Sequence, residues 1–327
     1  MEVEVKVLNQ IRVTIDGTPV SLGERKQQLM AGALAVQGGT VSKATLLRLL
    51  WEAGGTPEGA GQQLYTYAKN LRQAFDRACP GARGLLVTMR EQGYRLNVPR
   101  ENIDYFRFLR LKSKAAAVED DDPMEGARLG RLALSEWGAH PGVRGGTPFG
   151  GFESQLESLA ETWRQEYQSA LLTCLRAELA CGRHEQILPE LNQLAENGDC
   201  GKANQAIARM RMLAYYRCGR RPDADAVYRD LFNELRTLGN SPDVKTRELQ
   251  EQIMNQDPAL DLPKRATRQG TQDETAQPPT QEGSVEPSDE EQATAQAGAL
   301  FHTLITGDNP RVQMFASEVD YYERSDE

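Results

Sequence analysis

Two short turns constrain this 327-residue chain most. Cys181-Gly182-Arg183 and Cys218-Gly219-Arg220 stand 37 residues apart. Each follows an apolar helical stretch and leads into an amphipathic one that closes on a leucine, Leu194 or Leu231. A period of this length means helix-turn-helix repeats, because a single pair cannot bury its own apolar face and must stack on a neighbour. Glycine is expected at both turns, since the residue ending a helix there needs a positive φ. Upstream, Leu156, Leu159, Trp163, Tyr167, Leu171 and Cys174 recur at helical spacing, which predicts one long helix over 153–180. The stretch from about Ile103 to Gln256 therefore reads as almost wholly helical.

The first hundred residues follow a different rule. Val3, Val5 and Val7, then Ile11, Val13 and Ile15, alternate with polar residues and predict two strands. Asp16-Gly17 marks a turn, and Val20-Ser21-Leu22 is expected as a third short strand. Helices are predicted over 24–36, from a Ser42 N-cap through Trp51, and over 58–78. Leu85–Thr88 and Tyr94–Val98, around Gly93, read as a final hairpin. The fold class expected is thus an α+β domain over 1–99 and an all-α repeat domain over 100–260. Residues 261–327 form an acidic tail too poor in apolar residues to fold, with one apolar island at Ala299–Ile305.

Charge is distributed unevenly. The chain carries a net −9, but residues 1–98 hold 12 Lys and Arg against 8 Asp and Glu, a net +4. Residues 265–327 hold 4 against 13, which accounts for the whole deficit. A negative total is therefore compatible with a nucleic-acid partner for the N-terminal part. No apolar run approaches the roughly 20 residues of a membrane span, and MEVEVKVLNQ lacks the pattern of a secretory leader. The expected setting is cytoplasmic, without a membrane partner.

Enzyme chemistry finds no foothold. Gly201-Lys202 lacks the flanking residues of a phosphate-binding loop, and His184-Glu185 is followed by Leu188 where a zinc protease needs histidine. The five cysteines show no paired spacing, so neither disulfides nor a metal site is expected, and Cys174 and Cys181 read as small buried residues. No catalytic residue, cofactor or metal is assigned.

The helix over 58–78 carries the functional expectation. Leu64, Ala68, Leu71 and Phe75 fall on one stripe. The opposite face carries Gln62, Thr66, Lys69 and Gln73, flanked by Tyr65, Asn70, Arg72 and Arg77, and Gln63 joins the candidate contacts. Asn and Gln match adenine edges, Lys and Arg match guanine, and a threonine methyl meets a thymine methyl, so this face suits the major groove of duplex DNA. Lys43 at the next helix start, and Arg90 and Arg95 on the hairpin, are expected to contact the backbone or minor groove. Arg25 and Lys26 read as solvated charges. The tail is expected to compete for this basic face. The alternative is a helical-repeat scaffold or adaptor that binds a partner protein without productive DNA binding.

Several segments together resemble the Streptomyces antibiotic regulatory protein family. They are Leu50-Trp51, Gln63 through Phe75, Leu86-Val87-Thr88 with Gly93-Tyr94-Arg95-Leu96, Leu179 through Glu185, Leu213 through Arg220, Val227-Tyr228-Arg229 and Gln256 through Leu260. The resemblance spans about residues 3–260. It implies an OmpR-like winged helix followed by a bacterial transcriptional activation domain of tetratricopeptide-like helices. It further implies an activator that binds direct repeats in promoter DNA as a homodimer, contacts RNA polymerase holoenzyme, and controls a secondary-metabolite gene cluster. Asn197-Gly198-Asp199-Cys200-Gly201 departs from the pattern, as do the sparse arginines on the long helix.

Overall fold

The computed structural model describes residues 1–51, 55–90, 92–138, 149, 153–197 and 203–262. The expectations for the tail and for 198–201 lie outside them. The described residues are mostly helical, with two small sheets, and form two compact units. One takes in residues 1–106 with Phe149 and 153–163, the other residues 107–138, 164–197 and 203–262.

In the first unit, β1 (Val3–Lys6) and β2 (Arg12–Ile15) pair antiparallel, with Val5 opposite Val13. The alternation places Val3, Val5, Val13 and Ile15 in the core. The third strand is not at 20–22. Asp16 and Gly17, both at positive φ (47° and 75°), make a two-residue turn that sets β3 (Thr18–Pro19) directly against β2. Val20 and Leu22 are buried, and the pairing reaches only as far as the Val20 amide, which donates to the Val13 carbonyl at 2.9 Å.

Helix α1 (Arg25–Gln37) has nearly every residue after Gln28 buried, as befits the middle of a unit, and stops at Gly38 in the left-handed region. A two-residue strand, β4 (Val41–Ser42), then opens α2 (Lys43–Trp51). The Ser42 hydroxyl accepts from the Thr45 amide at 3.0 Å, the cap expected from the sequence. Helix α3 (Ala60–Ala78) leads to β5 (Leu86–Met89) and β6 (Gly93–Leu96), and β6 lies between β5 and β4.

Helix α4 (Asp104–Val118) begins with a buried carboxylate. Asp104 accepts from the amides of Val7 (2.9 and 3.0 Å), Leu8 (3.2 Å) and Tyr105 (2.8 Å), so it satisfies the chain end of β1 and its own helix start at once. In the same unit Tyr105 stacks on Trp163 with centroids 4.0 Å apart, and Phe149 lies 4.5 Å from Trp163.

Among its described residues the second unit is built from helices alone. They are α4 from residue 107 on, α5 (Pro123–Ser135), the long α6 (Glu153–Ala180) from residue 164 on, α7 (His184–Asn197), α8 (Gln205–Arg217), α9 (Arg221–Thr237) and α10 (Val244–Asn255). The two glycine turns behave as expected. Gly182 and Gly219 have φ of 79° and 71°. The Arg183 and Arg220 amides reach back to the carbonyls of Glu178 and Tyr215 at 2.9 Å, the bond pattern of a Schellman ending. Helix α7 packs on α8, and α8 on α9.

Helices α5 and α6 approach closely where Gly130 faces Cys174, since a Cβ at Gly130 would sit 2.8 Å from the Cys174 Cβ. Arg131 binds two carboxylates there, Glu178 (2.6 Å) and Glu190 (2.7 Å). Burial opposes the guanidinium charge, but the hydrogen bonds to Glu190 and Glu178 outweigh it and hold the pKa above the ordinary value. Burial pushes the Cys174 thiol up to about 12, partly opposed by Arg131. The thiolate is the nucleophile, and at neutral pH Cys174 stays protonated. A thiol-labelling time course with mass-spectrometric mapping should therefore find Cys174 unmodified in the native protein and modified after denaturation. Rapid native labelling would contradict the packing between α5 and α6. Cys181, by contrast, is only half-buried.

Candidate nucleic-acid interface

Helix α3 sorts its residues cleanly by side. Leu64, Ala68, Leu71 and Phe75 are buried in the first unit. Gln62, Gln63, Tyr65, Thr66, Lys69 and Gln73 are exposed, Tyr65 at 56%, while Asn70 and Arg72 are half-buried. The apolar stripe anchors the helix and thereby fixes the polar side outward. Asp76 is its one acidic residue, against Lys69, Arg72 and Arg77. That carboxylate is engaged at the far end, where it accepts from the Gly81 amide (3.0 Å) and pairs with Arg83 (2.9 Å). These contacts, the amide first, hold its pKa below the usual value.

Arg72 has a different place from its neighbours. Its Nε donates to the Leu86 carbonyl at 2.9 Å and its Nη2 to the Thr88 hydroxyl at 2.6 Å, both on β5. It ties α3 to the hairpin, so its guanidinium is already engaged within the protein. The Thr66 hydroxyl donates to the Gln62 carbonyl at 3.0 Å. Arg90 is exposed in the turn between β5 and β6, which a 3.2 Å bond from the Gln92 amide to the Met89 carbonyl closes. Arg95 lies on β6 opposite Val87 and is half-buried, with Nε buried and without a hydrogen-bond partner among the described residues. Lys43 is exposed at the first turn of α2.

The structure thus brings α3 and the hairpin together through Arg72, and brings α2 to the hairpin through the β4–β6 pairing of Ser42 with Gly93. Burial pushes the Tyr94 phenol above its ordinary pKa, with Arg72 opposing. Lys26 does not behave as a solvated charge. Its Nζ lies 4.2 Å over the Trp51 ring, which in turn stacks with Tyr67 at 6.1 Å. Arg72 was legible only as a flanking position, about 80° around the helix from Leu64. A long side chain at that border reaches along the surface instead of out of it. The one group of three metal-type donors found among the described residues lies elsewhere, at His184, Glu185 and Cys218.

Residues 103–254 match the model of the bacterial transcriptional activator domain. Over 319 residues the chain is 28% identical to the transcriptional regulatory protein EmbR of Mycobacterium tuberculosis, covering 96% of this chain and 76% of that protein. Over 264 residues it is 27% identical to the transcriptional regulator RedD of Streptomyces coelicolor, covering 80% and 73%. Together these matches support a regulator of the Streptomyces antibiotic regulatory protein type. They place its role in transcription regulation. Its fold is similar to that of Mycobacterium tuberculosis EmbR solved in complex with a low-affinity phosphopeptide, with a TM-score of 0.69 at 25% identity, over 93% of this chain and 71% of the other. No helix among the described residues is long and apolar enough to cross a membrane.

Proposed function

We propose that this protein is a cytoplasmic, sequence-specific DNA-binding transcriptional activator. In this reading residues 1–99 form an OmpR-like winged helix, with α3 as the helix that enters the major groove and the β5–β6 hairpin as the wing. Residues 100–260 form the tetratricopeptide-like activation domain. The observation that carries the reading is the division of α3: an apolar side held in the core, and an outward side of amides, hydroxyls, Lys69 and Arg77 with no exposed acid. Such a side presents donors and acceptors to base edges without repelling phosphates. Arg90 at the hairpin tip and Lys43 at the start of α2 supply phosphate contacts, and Arg72 keeps the wing in register with the helix. The protein binds direct repeats as a homodimer, contacts RNA polymerase holoenzyme and controls a secondary-metabolite gene cluster. The likeness to these transcriptional regulators supports each of these roles.

The test starts from DNA fragments captured by the purified protein, which define the site. On that site, Lys69→Ala should weaken binding by about 10-fold or more and relax preference at one base position. Arg90→Ala should weaken all sequences alike and lower the slope of log affinity against log salt by about 1. Gel-shift titrations at several salt concentrations separate the two. Unchanged affinity in both variants would mean that α3 and the hairpin are not the reading surface.

A further inference from the structure

We propose that His184, Glu185 and Cys218 form a zinc-binding site that clips the start of α7 to the α8–α9 turn. The imidazole nitrogen, carboxylate oxygen and thiol sulfur of these three residues all lie within 4.8 Å of one another. Zinc bonds of about 2.0–2.3 Å at tetrahedral angles need ligand atoms about 3.5 Å apart, so side-chain rotations of roughly 1 Å close the site. A separate observation points the same way: the His184 Nδ1 is buried and has no hydrogen-bond partner among the described residues. A buried imidazole nitrogen with nothing to bond is costly in a protein unless a ligand takes it up.

The fold explains the meeting. His184 and Glu185 are the first two residues of α7, and Cys218 is the residue that ends α8. The equivalent glycine turns of the two repeats bring together residues 33–34 positions apart, which is why no short spacing in the sequence announces them. The donor set selects the metal. Thiolate and imidazole are poor ligands for magnesium or calcium and good ones for zinc. A thiolate and a carboxylate together neutralise a divalent ion. The neighbouring guanidinium groups are turned to other acceptors: Arg183 to Glu178 (3.7 Å), Arg220 to Asp223 (2.8 Å), and Arg217 to the carbonyls of Leu179 and Leu260. Three protein ligands leave the fourth position to water.

The experiment uses the full chain, stripped of metal by chelator and titrated with zinc, and in parallel with cobalt as a spectroscopic substitute. One equivalent should bind, cobalt should give a thiolate-to-metal charge-transfer band, and zinc at a hundredfold excess over its dissociation constant should raise Tm by about 5 °C. Cys218→Ser should abolish the band, and the exposed Glu185→Gln, which leaves the fold intact, should weaken zinc binding by at least about 10-fold. Absence of binding to the wild-type chain overturns the proposal. So does a charge-transfer band that survives Cys218→Ser, which would place the metal on another cysteine, or zinc affinity unchanged by Glu185→Gln.

Discussion

A Gly93→Ala variant should lose about 3–5 kcal/mol of stability. Gly93 has φ 143°, and a Cβ built on it would stand 1.9 Å from the Val41 carbonyl oxygen, 2.8 Å from the Val41 carbonyl carbon and 2.9 Å from the Ser42 Cα. All three are backbone atoms, so no side chain can turn aside to make room. Relief requires opening the β4–β6 pairing, which also carries the start of α2 and the base of the hairpin. Gly84→Ala is the matched control, because nothing lies within 4 Å of its Cβ position and its φ is not positive. Urea denaturation should show the first variant shifted far down and the second unshifted. Coincident midpoints for Gly93→Ala and wild type would show that β6 does not pack on β4.

Arg131→Ala should cost about 3–5 kcal/mol by a different route. The side chains of Glu178 and Glu190 are 6% and 19% exposed, and each bonds the same guanidinium. Removing that cation leaves two carboxylates near each other with little water to screen them. The distant Arg183 contact to Glu178 at 3.7 Å offers small compensation. Replacing all three residues together, Arg131→Met with Glu178→Leu and Glu190→Leu, should recover most of the loss, because apolar packing carries no desolvation cost. A single-variant loss under about 1 kcal/mol by denaturant titration would show that the network is solvated and weak.

What was legible in the sequence depended on how many residues shared a pattern. The stripe Leu64–Ala68–Leu71–Phe75 repeats over about three turns and located both sides of α3, and the two Cys-Gly-Arg turns located α7 and α9. Two-residue strands carry no period, so β4 was invisible and β3 was expected at Val20–Leu22, one to two residues beyond where it lies, because both apolar residues there are buried. The engagement of Arg72 with β5 and of Lys26 with Trp51 depends on partners 14–25 residues away, which a helical wheel does not contain. The His184, Glu185 and Cys218 cluster arises from the stacking of repeats and has no local signature.

The aromatic cluster around Trp163 has a consequence for how such proteins are recombined. The first unit is not one uninterrupted stretch of chain: Asp104 holds the amides of Val7 and Leu8, and Tyr105 stacks on Trp163. A chimera joined at a single crossover between residues 8 and 104, or between 105 and 163, pairs one member of these contacts with a foreign partner. Exchanging the first unit between relatives therefore requires two splice points, or a donor whose residues match this protein's at 104, 105, 149 and 163.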